Sequence, residues 1–187
     1  MTATVQMDAG ALLTSLKNVA DNLPKQASII SGKTATKAVS FIAKDVSKQV
    51  AVKQKTVREH IRKKKKGKTA YTVELEKSRR IPLRDFGAKQ NKQGVTYRIQ
   101  KGGKRGFAKD AFQGPKPGVV NVKWKGRVFK RVGSSRLPIK QLKGPSPWGV
   151  VVRGGRLSAI LSQIDAELIK QTQERIRYLR LKKSGAI

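Results

Sequence analysis

The excess of positive charge limits what this chain can fold into more than any other feature of its sequence. Lysine and arginine supply 43 of the 187 residues and aspartate and glutamate only 11, which gives a formal net charge of +32. Self-repulsion destabilises a compact state that exposes so many like charges, unless an anionic surface faces it. The sequence therefore predicts a polyanionic partner, either nucleic acid or an acidic protein ring.

The charge is spread along the chain instead of being confined to a tail. No acidic residue lies between Asp110 and Asp165, and residues 53–68 hold nine basic residues against the single Glu59. Hydrophobic residues make up 37%, below the ~45–50% usual for a globular domain. We therefore expect a basic folded body with a small core, which a partner subunit completes in a homo-oligomer.

Several classes of protein are excluded or disfavoured by simple absences. The chain has no cysteine, which excludes disulfides, thiolate metal sites and a cysteine nucleophile. Its first ten residues lack the features of a secretory signal, and no segment approaches the ~20 apolar residues that span a bilayer. We expect neither signal-directed export nor a membrane contact, and no cofactor or metal site is predicted.

Apolar spacing predicts helices at both ends of the chain. Apolar residues recur every three or four positions over roughly 9–51, which indicates two amphipathic helices or one helix kinked at Pro24. Thr56 and Glu59 form a potential capping box at the start of a short helix, which runs into the basic tract 62–66. We expect that tract to be exposed or mobile, because its like charges repel.

The period changes to two after Tyr71, which predicts β-strands. Three candidates begin at Tyr71, Val95 and Val120, and a fourth at Arg127 is expected to fold back on the third as a hairpin. Segments 100–106 and 108–118 are expected to be loops. The prediction is a single α+β domain over residues 1–187, with a mainly antiparallel sheet. Its parts are a helical region with the basic tract (9–69), a β-rich core with long loops (70–153) and a long C-terminal helix (156–183).

Few residues suggest catalysis. His60 is the only histidine and has arginines nearby, so we interpret it as a residue on a helix surface. Glu74 and Glu76 share a strand face, and with Asp85 they leave a metal-dependent nuclease open as a second alternative. The glycine-rich segment 101–106 lacks the order of a nucleotide-binding loop and is interpreted as a basic turn.

The aromatic residues do not form the cluster of an RNA-recognition sheet. Trp124 and Phe129 are interpreted as core residues.

An ordered set of motifs resembles the minor tail protein Z family of tailed bacteriophages. The segments are Arg80–Phe86, Gly94–Ile99 with the basic glycine loop after it, Asp110–Phe112, Val128–Arg131 and Arg136–Ser146. The resemblance implies a non-enzymatic tail-completion protein in the virion, at the head-proximal end of a long tail, which is assembled in the host cytoplasm. It also implies a homo-oligomeric ring, expected to be a hexamer, that contacts the tail terminator, the tail tube or the head connector.

Two groups of residues are assigned on this basis. The residues expected to meet DNA or acidic neighbours are Lys63, Lys64, Lys65, Lys66, Lys101, Lys104 and Arg105. Those expected to pack helices within or between subunits are Leu12, Leu16, Phe41, Ile42, Ile164 and Leu168. The alternative is a free nucleic-acid-binding protein, which the charge alone would also suit.

Overall fold

The structure, a computed structural model, describes residues 9–115 and 126–184, with side chains of the first helix described from Asn22 onward. It confirms an α+β fold, with long helices at both ends and antiparallel strands between them. The N-terminal region is one helix, α1 (Ala9–Gln49), which continues through Pro24. Of the two arrangements left open for this region, the structure has the single helix.

The short second helix begins before the predicted capping box. Helix α2 spans Gln54–Glu59 with Lys53 at its N-cap and no side-chain cap, so Thr56 lies inside it. The reason is tertiary: Val50 and Val52 are buried, and the Ala51 N–H donates to the Ile99 carbonyl at 2.9 Å. These contacts fix the chain just after the end of α1, and α2 begins directly after them. The capping-box prediction is wrong.

The basic tract is a β-strand. Strand β1 (Arg62–Lys66) pairs antiparallel with β2 (Ala70–Glu74), and every residue of β1 is exposed as predicted. Alternation places successive lysines on opposite faces of the strand, which relieves the repulsion that neighbouring charges would have on one helix. The β-region therefore starts at Arg62, inside the segment assigned to the helical region.

The other strands form two three-stranded antiparallel sheets, so the single predicted sheet is replaced by three small ones. One contains β3 (Lys89–Asn91), β4 (Gly94–Tyr97) and β5 (Gly106–Lys109). The other contains β6 (Ala111–Gln113), β7 (Val128–Arg131) and β8 (Ile139–Gln141). A 3₁₀ turn, Leu83–Phe86, precedes the first of them.

Two sequence predictions fail in this region. The predicted loop 108–118 contains the end of β5 and all of β6. Both strands are too short to show a clear alternation of apolar and polar residues. Strand β7 pairs with β6 on one edge and β8 on the other, which leaves no edge for the predicted hairpin with a strand at 120–124. That third strand candidate and Trp124 lie outside the described residues.

Two helices complete the chain, and the first was missed because it lies within the predicted β-rich core. Helix α3 (Pro147–Arg153) has Ser146 as N-cap, whose hydroxyl accepts from the Gly149 N–H at 3.2 Å, and Pro147 at its first turn. After a break at Gly154 and Gly155, α4 spans Leu157–Lys183, as predicted. It runs antiparallel to α1: Arg156 bonds Asp45 at 2.8 Å, and Arg175 bonds Gln26 near the other end.

The core lies where α1 meets the strands and α3. Its members are Ile42, Ala43, Val46, Val50, Val52, Val57, Ile61, Ile81, Leu83, Phe86, Val95, Ala111, Val128, Val151 and Ile160. Among the predicted packing residues, Ile42 is buried, Ile164 packs at the edge of this core, and Phe41 is half-buried. Leu168 is 42% exposed and so is not a packing residue within the subunit. The side chains of Leu12 and Leu16 lie outside the described part.

Phe129, which was expected in the core, is half-buried and lies outside the main core. Its ring centroid lies 6.0 Å from that of Phe112 on the neighbouring strand. The two rings form a small aromatic contact between β6 and β7.

Candidate polyanion-binding surface

Two of the four lysines of the basic strand are occupied within the chain. The Lys63 ammonium donates to the Thr36 hydroxyl of α1 at 2.9 Å and lies 5.6 Å from the centre of the Tyr71 ring. Lys64 lies on the other strand face and forms an ion pair with Glu74 at 2.9 Å. Both lysines therefore help to hold the β1–β2 hairpin together and against α1.

The other two lysines of the strand are open to a partner. Lys65 and Lys66 are exposed, and within the described residues their ammonium groups make no hydrogen bond or ion pair. Their cross-strand neighbours, Tyr71 and Ala70, carry no charge. Of the four lysines in the tract, these two are the ones whose ammonium groups are open to contact an anionic partner.

The second predicted cluster lies in the turn between β4 and β5. The Lys101 backbone N–H donates to the carbonyl of Gln49 at 2.8 Å, which fixes this turn to the C-terminal end of α1. The side chains of Lys101 and Lys104 are exposed. Arg105 differs, because its guanidinium donates to the Gly87 carbonyl at 2.8 Å and to Thr96 at 3.2 and 3.3 Å. It ties the 3₁₀ turn to β4 and is a structural residue.

Substitution should separate the two roles in this turn. We expect Arg105→Ala to lower the free energy of unfolding by about 1 kcal/mol, because three acceptors lose a charged donor. Lys104→Ala should leave stability unchanged and instead reduce the salt dependence of DNA binding. Urea unfolding and binding titrations measure both. Equal effects of the two substitutions on stability would contradict this assignment.

A further set of lysines, which the sequence analysis did not single out, lies on α1. Lys33, Lys37, Lys44 and Lys48 are all exposed, and spacings of four, seven and four residues place them on one face of the helix. We call these four residues the lysine band. The opposite face of the same helix carries buried Ala35, Ala38, Ile42 and Val46. The spacing itself was the signal that could have revealed the band.

The lysine band connects the two predicted clusters. Lys33 and Lys37 line a groove with Lys63 and Tyr71, beside the β1–β2 hairpin. Lys48 precedes Gln49, whose carbonyl holds the turn that carries Lys101. Fifteen helical residues separate Lys33 from Lys48, or about 22 Å. The predicted sites are therefore distant from each other but joined by a row of cations.

The residues considered for catalysis are engaged elsewhere. Glu74 pairs with Lys64 at 2.9 Å, Glu76 with Arg62 at 2.9 Å, and Asp85 with its neighbour Arg84 at 3.1 Å. The half-buried His60 ring bonds the Thr56 carbonyl through Nδ1 at 2.9 Å. Residues 9–115 and 126–184 contain no group of three or more histidine or acidic side chains suited to hold a metal ion.

Comparison with protein-family models, with characterised proteins and with solved structures finds no match to this chain. Within the part of the chain that the structure describes, no helix has the length and apolar character needed to cross a membrane.

Proposed function

We propose that this protein is a structural, non-enzymatic subunit whose lysine band contacts the phosphate backbone of DNA. The observation that carries the proposal is the row of four exposed lysines on one helix face. The hairpin that carries exposed Lys65 and Lys66 packs beside one end of this row, and the turn that carries exposed Lys101 and Lys104 is fixed to the other end. Binding to phosphates releases condensed counterions, which favours association without any contact to base edges.

The length and chemistry of the band fit duplex DNA. Duplex DNA carries one negative charge per ~1.7 Å of its axis, so a 22 Å row of cations faces a segment with roughly 13 phosphates, of which one side is accessible. Lysine ammonium groups act as point charges and make no bidentate contact with a base. We therefore expect binding that is independent of sequence and sensitive to salt.

The place of this contact is proposed from the resemblance to tail-completion proteins. In a ring at the head–tail junction of a long-tailed phage, several copies of the band would surround DNA in the channel. Ring neighbours such as the tail terminator, tail tube or head connector would then contact other surfaces of the subunit. A basic surface without base-reading side chains suits DNA of any sequence passing through a channel.

Titration with a short DNA duplex at several salt concentrations, combined with light scattering, tests this function. We expect binding whose logarithmic affinity falls linearly with the logarithm of salt concentration, at equal strength for unrelated sequences. A defined ring supports the tail-junction role, whereas a monomer that binds duplex tightly supports the free nucleic-acid-binding alternative. Failure to bind any duplex at 50 mM salt contradicts both.

A further inference from the structure

Strand β1 has one edge that no other strand of the described residues covers. It belongs to a sheet of two strands and pairs with β2 along one edge only. In an antiparallel pair, every second residue directs its backbone N–H and C=O away from the partner strand. Within the described residues these outward groups of β1 have no hydrogen-bond partner, and every residue of the strand is exposed. The edge is therefore open to a further strand.

The hairpin that carries this edge is fixed to α1 and does not have to be ordered by a partner. The Lys63 ammonium donates to the Thr36 hydroxyl of α1 at 2.9 Å, and the Ser31 hydroxyl of α1 donates to the Thr69 carbonyl in the turn between the two strands. Strand β1 has five residues, whereas the described edge strands of the other two sheets have three or four. A partner strand would therefore meet a long edge that is already in place, which lowers the entropic cost of binding.

The charge of the edge decides which kind of strand fits it. All residues of β1 are basic, so the same edge of a second copy would place like charges opposite each other. Ion pairs with Glu74 and Glu76 at 2.9 Å neutralise two residues of the strand. Lys65 and Lys66 form no ion pair within the described residues, and as successive residues of a strand they point to opposite faces. A complementary strand therefore has acidic residues at two successive positions, one for each face.

We propose that the outer edge of β1 binds an extended acidic segment of a different protein, which adds a third strand to the hairpin. Its main chain would pair with the outward N–H and C=O groups of β1, and two successive acidic side chains would lie opposite Lys65 and Lys66. DNA phosphates only accept hydrogen bonds and would leave the outward carbonyls of β1 without a donor, so a peptide fits this edge better than DNA. No two acidic residues are adjacent in residues 1–187, so these residues offer no such strand themselves.

A synthetic peptide tests strand addition. The probe is an end-blocked peptide with the sequence Thr-Val-Thr-Glu-Glu-Thr-Val-Thr. Its control has the same sequence with both glutamate nitrogens methylated, which keeps the charge but blocks both edges of the peptide, since successive residues pair in opposite directions. We expect the probe to bind and to slow the exchange of the outward amide hydrogens of β1, measured by NMR. The methylated peptide should bind roughly 10-fold more weakly or less, because it loses backbone hydrogen bonds.

Substitution of the two open lysines tests the charge complementarity. Lys65→Gln with Lys66→Gln should weaken binding of the probe roughly 3- to 30-fold, as expected for the loss of two exposed ion pairs. The control variant, Lys89→Gln with Lys140→Gln, removes the same charge from exposed positions of two other edge strands and should change the affinity by less than about twofold. Circular dichroism verifies that both variants are folded.

Three results would overturn the proposal. They are no binding of the probe up to about 2 mM, equal binding of the methylated peptide, and equal losses in the two lysine variants. A fourth is a loss of duplex affinity on substitution of Lys65 and Lys66 without any binding of the probe, which would assign these lysines to DNA. The lysine band is unchanged in both variants, so titration with duplex DNA tests the proposed function separately.

Discussion

Replacing Gly144 by alanine should lower the free energy of unfolding by about 3 kcal/mol, near the upper range for overpacking a core. A Cβ added at this position would lie 2.3 Å from Cε2 and 2.7 Å from Cζ of Phe86, a fully buried ring. The backbone cannot move away easily. The Gly144 N–H donates to the Ile81 carbonyl at 2.8 Å, and its own carbonyl accepts from Arg80 Nε at 2.9 Å.

A smaller residue at position 86 should partly relieve this clash. Phe86→Leu alone is expected to cost about 1 to 2 kcal/mol, since it leaves a cavity in the core. The double variant with Gly144→Ala should cost less than the sum of the single costs, because the added methyl group occupies vacated space. Urea denaturation of the four proteins measures the coupling, and strictly additive costs would contradict direct contact.

Gly133→Ala is the matched control for the same chemical change. Nothing lies within 4 Å of the Cβ that would be added there. We therefore expect its effect on stability to stay within about 0.5 kcal/mol, as for other surface substitutions. A large loss in this variant would show that the loss at Gly144 does not arise from packing.

Removal of the lysine band should have the largest effect on DNA binding. We expect replacement of Lys33, Lys37, Lys44 and Lys48 by glutamine to lower the slope of the salt dependence by about 3 to 4, because each lost phosphate contact lowers it by ~0.9. The ratio of wild-type to variant affinity should therefore shrink roughly 100-fold between 50 and 200 mM salt, because this difference in slope acts over a fourfold change in salt concentration. Fluorescence titration of a labelled duplex between 50 and 200 mM salt measures both quantities.

The control for this variant removes the same charge elsewhere. The control uses four other exposed lysines on or near the β6–β7–β8 sheet. Lys130 and Lys140 lie on its strands, Lys143 follows β8, and Lys92 lies in the β3–β4 turn, which lines a groove with Lys130. Their replacement by glutamine should change the slope by less than half as much, since only general attraction is reduced. Equal losses in the two variants would mean that DNA responds to total charge and that the band is not a defined contact surface.

The sequence predicted those parts of the fold that depend on local periodicity. Helical spacing located both long helices, because one turn of helix repeats every 3.6 residues whatever it packs against. The same spacing places the lysine band opposite buried Ala35, Ala38, Ile42 and Val46, although the lysines were not recognised as a group. Alternation of apolar and polar residues located β2 and β4, because successive side chains of a strand point to opposite faces.

The role of each basic side chain could not be predicted in the same way. Lys64 and Lys66 share a strand face, yet Lys64 pairs with Glu74. Within the described residues, Lys66 forms no ion pair. Arg105 looked equivalent to Lys104 but fixes the carbonyls of Gly87 and Thr96. Such differences depend on which hydrogen-bond acceptors the fold brings close to each side chain. These acceptors are either distant in the sequence or backbone carbonyls, which no residue type identifies.

The sequence by itself determined a basic α+β chain with long terminal helices, since composition and periodicity are local properties. Only the tertiary structure decided that the basic tract is a strand, that Gly144 meets Phe86, and that a row of α1 lysines joins the two predicted clusters. The physical reason is that these contacts join residues far apart in the chain, and their formation depends on how the elements pair and pack.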